Sequence, residues 1–217
     1  MRHGYTNDTR HLASTVRKSY RGPDAMERAT AERLALRALA GLFPVPPVIA
    51  DEQEAIVTGF VDGEHGQDLI DAGHARQVLT ECGRVLRRLH ALDSALLDGH
   101  QHSGVIQHGD FGPNNVMFDR TGHHIVAVLD WEFSQIGPPI TDLAWCEWIV
   151  RMHHPDAAGE LAAFFDAYGR CPSWAHRQEE MLRRCAWLED FSRRWDPHGD
   201  AARTWQHRAA ITSRWVE

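Results

Sequence analysis

A chain of 217 residues can bury one sizeable core or two small lobes around a cleft, and 43% hydrophobic with 24% charged residues is the make-up of an ordinary soluble globular protein. No apolar run approaches the roughly 20 residues of a membrane helix, the first six residues lack a signal peptide's apolar stretch, and four scattered cysteines without a C-x-x-C pair fit a reduced, cytoplasmic protein. The net charge of −7 argues against a nucleic-acid partner, which needs a basic face. Residues 1–60 carry 8 Lys+Arg against 7 Asp+Glu and the remainder 15 against 23, so the acidity lies in residues 61–217, where it suits a small cationic substrate.

In chain order, residues 10–19 read as strand, with the β-prone run Ser14-Thr15-Val16-Arg17 leading into Lys18, the single lysine among 23 basic residues. Pro23-Asp24 is a helix-start signal, and Ala25 to Ala40 is rich in helix formers, with Leu34, Leu36, Leu39 and Leu42 as its apolar side. Glu27 and Glu32 lie five residues apart on nearly opposite sides of that helix, so both cannot face Lys18. Pro44-Val45-Pro46-Pro47 ends the helix, and strands are expected near 47–50 and 54–60. Ala75 to Leu92 places Val78, Leu79, Cys82, Val85, Leu86 and Leu89 at helical spacing. A short strand at Val105-Ile106-Gln107 is followed by a hairpin of residues 115–118 and 125–129 around Asp119-Arg120-Thr121-Gly122. Four helices then read as Ile140 to Met152, Ala157 to Tyr168, Arg177 to Trp195 and Ala201 to Trp215. His123-His124 and His153-His154 lack Cys or His partners at zinc spacing and read as surface turns.

The chemistry concentrates in His108-Gly109-Asp110-Phe111-Gly112-Pro113-Asn114-Asn115 and, a hairpin later, Asp130-Trp131-Glu132. Asp110 and Asn115 have the D-x-x-x-x-N spacing of a kinase catalytic loop, and Asp130 stands where a kinase keeps its metal-binding Asp. Phosphoryl transfer needs such a set: a carboxylate to accept the hydroxyl proton, and an amide with a second carboxylate to hold Mg²⁺ against the phosphates.

The wording H-G-D-x-x-x-x-N followed by D-W resembles the aminoglycoside phosphotransferase and choline kinase-like family of small-molecule kinases. The resemblance runs from about Gly4 to the last helices. It implies a two-lobed α+β protein kinase-like fold, with a reduced N-terminal β lobe over residues 1–60 and a mainly helical catalytic and substrate lobe over residues 61–217. It also implies an ATP- (or GTP-) and Mg²⁺-dependent phosphotransferase acting on a hydroxyl of a small molecule, whether aminoglycoside-, choline-, sugar- or amino-acid-like. Asp110 would be the catalytic base, and Asn115 and Asp130 the metal ligands. Lys18 would bind phosphates and pair with Glu32. Gly4, Thr6 and Asn7 resemble the phosphate-covering turn, although the strand that opens family members is missing or vestigial here. Thr58 and Phe60, in the segment Ile56 to Gly63, would form the hinge that reads the base edge. His108 would orient the loop, and Asp142, in a D-L-A triplet, would support it and cap the following helix. Trp145, Trp148, Trp187 and Trp195 beside Glu147, Glu189, Asp190 and Asp196 are candidates for a substrate wall, with Trp148, Glu147 and Asp190 preferred, since aromatic and acidic side chains together suit an ammonium or amino-sugar acceptor. The absence of D-F-G and A-P-E segments argues against a protein substrate. The rival expectation is a catalytically weak nucleotide-binding pseudokinase-type module.

Overall fold

The computed structural model describes residues 7–52 and 55–217. The first strands, β1 (Asn7–Leu12) and β2 (Thr15–Tyr20), form an antiparallel hairpin whose register sets Lys18 opposite Thr9. Alternation along β2 puts Lys18 and Tyr20 on one face, toward helix α1 (Ala25–Leu39). Buried positions of α1 are Arg28, Ala29, Glu32, Ala35, Leu36 and Leu39, a stripe recurring every three or four residues. The apolar side expected from the leucines is half right: Leu36 and Leu39 are buried, but Leu34 and Leu42 are about half exposed, because the buried stripe runs through the alanines and two charged residues instead.

Strands β3 (Val48–Glu52) and β4 (Ala55–Gly59) complete a four-stranded antiparallel sheet in the order β1-β2-β4-β3, with Lys18 opposite Ile56 on its other neighbour. Beyond the sheet the chain forms β5 (Glu64–His65), α2 (Gly66–Asp71), α3 (Ala75–His90) and the single turn α4 (Ala95–Asp98). Strand β6 (Val105–Gln107) delivers the catalytic-loop motif, which closes in a 3₁₀ turn at Pro113–Asn115. The hairpin β7 (Val116–Phe118) and β8 (Ile125–Val128) follows, with β5 paired to β7, and β9 (Gln135–Gly137) returns to pair with β6. Helices α5 (Ile140–His153), α6 (Leu161–Tyr168), α7 (Trp174–Trp195) and α8 (Ala201–Thr212) finish the chain.

One apolar core joins the sheet side to the helices: Tyr20, Leu36, Leu39 and Ile56 are continuous with Leu79, Leu86, Leu89, Ile106, Phe111, Trp131 and Phe164. Each fully buried aliphatic side chain contributes about 1.5–3 kcal/mol relative to exposure. A second cluster, Ala144, Trp145, Trp148, Ile149, Met181 and Cys185, locks α5 to α7 and takes Trp205 of α8 against it. The loop after β6 touches both clusters, with Phe111 in the first and Trp145 of the second donating to Asp110. Cys82, Cys146 and Cys185 are buried free thiols, and Cys171 is exposed. Among the described residues no helix is long and apolar enough to cross a membrane.

Candidate active site

The loop after β6 is held by its backbone. Gly109 has φ +81, and a Cβ there would lie 2.3 Å from the carbonyl oxygen of Phe133, so only glycine fits. Asp142, in the first turn of α5, accepts the backbone N–H of His108 at 2.9 Å and of Gly109 at 2.8 Å, and His90 Nε2 at 3.0 Å. Burial opposes its charge, but His90 and these amide donors outweigh burial and hold its carboxyl below the usual range. Asp142 makes no capping bond to α5, contrary to expectation, because both its oxygens are spent on the loop and His90. His108 Nδ1 accepts the backbone N–H of Asp110 at 3.1 Å, which assigns the proton to Nε2, and Nε2 donates to the Leu129 carbonyl at 2.8 Å. Burial lowers the pKa of this imidazole, so it is neutral and splints the loop to the end of β8.

Asp110 is fixed by two donors: Trp145 Nε1 at 2.6 Å to Oδ1, and Asn115 Nδ2 at 2.9 Å to Oδ2. Burial raises its pKa to about 6, against the opposing pull of Arg184, Trp145 and Asn115. Asn115 Nδ2 also donates to the Asp110 carbonyl at 2.8 Å, which leaves Oδ1 of the amide for a metal. Asp130 follows β8 in the left-handed region, at φ +66, beside Asn115 because Leu129 N–H bonds the Asn115 carbonyl at 2.8 Å. Lys18 Nζ donates to Glu32 at 2.5 Å and to Asp130, and Tyr20 Oη donates to Glu32 at 2.5 Å. Burial opposes the Lys18 charge, but Asp130 and then Glu32 outweigh it and hold the ammonium well above its ordinary pKa. Burial likewise pushes the Asp130 carboxyl up, but Lys18 wins and keeps it low. Glu27 faces away, on a shallow surface groove with Met26 and Leu34.

These groups share a cavity of about 390 Å³ between the sheet and the loop, lined by Lys18, Glu32, Thr58, Phe60, Asn115 and Asp130 among others. The Phe60 backbone N–H is already donated to Ser14 at 2.8 Å and that of Gly59 to Pro47 at 2.8 Å. The N–H of Val61, which also lines the cavity, has no partner among the described residues and is the donor left for a ligand's edge. Asn7 turns away from a phosphate-covering position: its Nδ2 donates to both Glu132 oxygens at 3.0 Å. Gly4 and Thr6 lie outside the described residues.

Two of the proposed substrate-wall residues are structural. Glu147 is fully buried between Arg177, at 2.6 Å, and Arg151, at 2.8 Å. Trp148 is buried, stacks on Trp145 at 4.3 Å and donates to Thr212 at 2.8 Å. Helical spacing did not distinguish an inward from a cleft-facing side of α5, which is buried nearly all round. Asp190 is exposed on α7 and pairs with Arg194 at 3.3 Å. Trp145, one of the tryptophans considered for the wall, instead donates to Asp110, and the sequence reading missed Arg184 beside Asp110 and Glu132, which ties Arg28 of α1 to the loop after β8. Only the D-W-E triplet itself hinted at the last.

A family model described as the phosphotransferase enzyme family matches residues 1–104 and 94–182. The chain belongs to this family. Solved structures share the kinase-like fold. The GDP complex of wild-type aminoglycoside 2′-phosphotransferase-IIIa superposes with a TM-score of 0.73 at 11% identity, over 98% of this chain and 90% of that one. A choline/ethanolamine kinase family protein from Mesorhizobium loti gives 0.64 at 16% identity, over 97% and 85%. A local sequence match to acyl-CoA dehydrogenase family member 11 of Gallus gallus is 50% identical over 38 residues, which is 18% of this chain and 5% of that protein.

Proposed function

We propose that this phosphotransferase moves the γ-phosphoryl group of ATP or GTP, with Mg²⁺, to the hydroxyl of a small molecule. The observation that carries the reading is the position of Asn115. Its Nδ2 holds Asp110, while its side chain also lines the cavity that contains Lys18 and Asp130. A donor-binding cavity and a partly buried carboxylate thus meet at one amide. We assign residues 1–60 to the nucleotide-binding lobe and residues 61–217 to the catalytic and acceptor lobe, and place the protein, with its free cysteines, in the cytoplasm.

Asn115 Oδ1 and the Asp130 carboxylate are hard oxygen donors of the kind Mg²⁺ takes. Among the described residues no three of His, Cys, Asp or Glu gather as a ready metal cage, which suits an ion whose remaining ligands are phosphates and water. When bound, that ion neutralises charge developing on the transferred group. Lys18, held in place by Glu32, places its ammonium on the donor phosphates as a compact point charge. Thr58, the Phe60 ring and the Val61 amide face the base. Asp110 accepts the proton of the acceptor hydroxyl as its oxygen bonds to the γ-phosphorus and the bond to the departing nucleoside diphosphate breaks. With a pKa near 6, Asp110 is ionised at neutral pH and basic enough for that task.

The test is nucleoside diphosphate release and acceptor mass gain across a library of hydroxylated small molecules. Asp110→Ala is expected to lower transfer by about 10²–10⁴-fold while retaining nucleotide binding. Transfer unchanged in Asp110→Ala would refute the assignment.

A further inference from the structure

Arg184 lies on α7 with its guanidinium carbon 4.3 Å from the Trp187 ring centroid, 5.0 Å from Phe133 and 5.6 Å from Trp145. Its Nε is buried without a hydrogen-bond partner. An unsatisfied buried donor costs about 1–3 kcal/mol, and more where the group is charged. Arg28 and Arg177, both buried, differ: each holds a buried carboxylate and a backbone carbonyl, whereas Arg184 is partly buried with its Nε enclosed. Asp110 is the foremost opposite charge acting on Arg184, yet the two form no ion pair. The donor cavity is lined by neither residue, so Arg184 is not spent on the nucleotide.

We propose that Arg184 is an acceptor-recognition residue, and that the acceptor carries a carboxylate which the guanidinium fork binds while the hydroxyl meets Asp110. This rests on the phosphotransferase reading and narrows its acceptor to hydroxycarboxylates. A planar guanidinium with its five donors matches a carboxylate bidentately. The three rings surround the guanidinium with aromatic faces that favour its charge and orient the fork. The cationic acceptor suggested by overall acidity finds no counterpart here: Glu147 is sealed by two arginines and Asp190 is taken by Arg194.

Because Trp145 and Trp187 flank the guanidinium, intrinsic fluorescence reports occupancy without turnover. Short-chain hydroxycarboxylates, their amides, choline and ethanolamine are titrated into the full chain with and without a non-hydrolysable ATP analogue and Mg²⁺. Initial rates are then measured with ATP. Saturable quenching by carboxylates, at least about tenfold tighter than by the matching amides, is expected. Arg184→Gln should raise KM for the carboxylate by about tenfold or more with kcat changed far less, and Arg184→Lys should recover part of the loss, since it keeps the charge and loses the fork. Thermal unfolding of both variants confirms that they fold. Choline, ethanolamine or amides binding as well as carboxylates, no saturable quenching by any carboxylate, or a KM unmoved in Arg184→Gln would each overturn the proposal. Carboxylate binding without any nucleotide binding would instead leave Arg184 upheld as a carboxylate site and remove the kinase reading beneath it.

Discussion

At the scale of single residues, the environment of Asp110 makes two claims about pH. Burial raises its pKa to about 6, so kcat/KM should fall on the acid side with a midpoint near pH 6 as the base is protonated. Trp145 Nε1 is one of the donors that hold this pKa down. Trp145→Phe should therefore move the acid limb above that of the wild type and lower kcat at neutral pH; a limb that moves down or stays would remove Trp145 from the catalytic account. The same shift has a cost in stability. Because the folded state binds the Asp110 proton more tightly than the unfolded chain, folding weakens as pH rises from about 4 through 6 and the loss persists above. Asp110→Asn should be inactive, and its stability should lack the wild type's fall of about 1–3 kcal/mol between pH 4 and pH 8. Denaturant titrations of both proteins at pH 4 and pH 8 check it.

At the scale of elements, the metal loop is tied to the sheet side by Glu132, almost wholly buried, which takes Arg28 of α1 and Asn7 of β1. Removing one partner of a buried pair strands the other charge, at about 3–5 kcal/mol. Glu132→Ala and Arg28→Ala should each be strongly destabilised, and the double variant should lose clearly less than the sum, as a double-mutant cycle by chemical denaturation would show. How far such ties were legible in the sequence depended on their local signal. Lys18–Glu32 could be read because one lysine precedes a helix with two glutamates on opposite faces, and the run from Glu32 to Leu39, which resembles the kinase family's E-x-x-x-L-x-x-L, chose between them. The loop and hairpin could be read because turn residues and alternation bracket them. Glu132–Arg28 could not, since the partners stand 104 residues apart and only packing of α1 against the loop joins them. Glu147 misled for the same reason: its partner Arg177 arrives from α7, and no feature of α5 alone shows that the carboxylate points inward. The two- and three-residue strands β5 and β9 carry no pattern long enough to read.

At the scale of the whole molecule, Lys18 joins the sheet, α1 through Glu32, and the loop after β8 through Asp130, so the cavity walls are pinned together by one ammonium shared between two carboxylates. Donor phosphates entering that cavity meet both carboxylates, and repulsion is relieved only if Asp130 turns to a metal and leaves Lys18 to the phosphates. Nucleotide affinity should therefore require Mg²⁺. A ligand that binds only the folded state adds about 2.7 kcal/mol at a hundredfold excess over Kd. For a chain of this length that raises Tm by roughly 5–10 °C. Wild type should show this shift with ATP or GTP only when Mg²⁺ is present. In Asp130→Ala the ammonium keeps Glu32 but loses its second carboxylate, so nucleotide should bind weakly and to the same extent with or without Mg²⁺. An equal shift in wild type with and without Mg²⁺ would mean the phosphates do not sit against Asp130, and the donor would have to enter from elsewhere. A Mg²⁺-dependent shift with no transfer to any acceptor would assign the chain to nucleotide binding alone, since the ion pair would then open for a donor that Asp110 never uses.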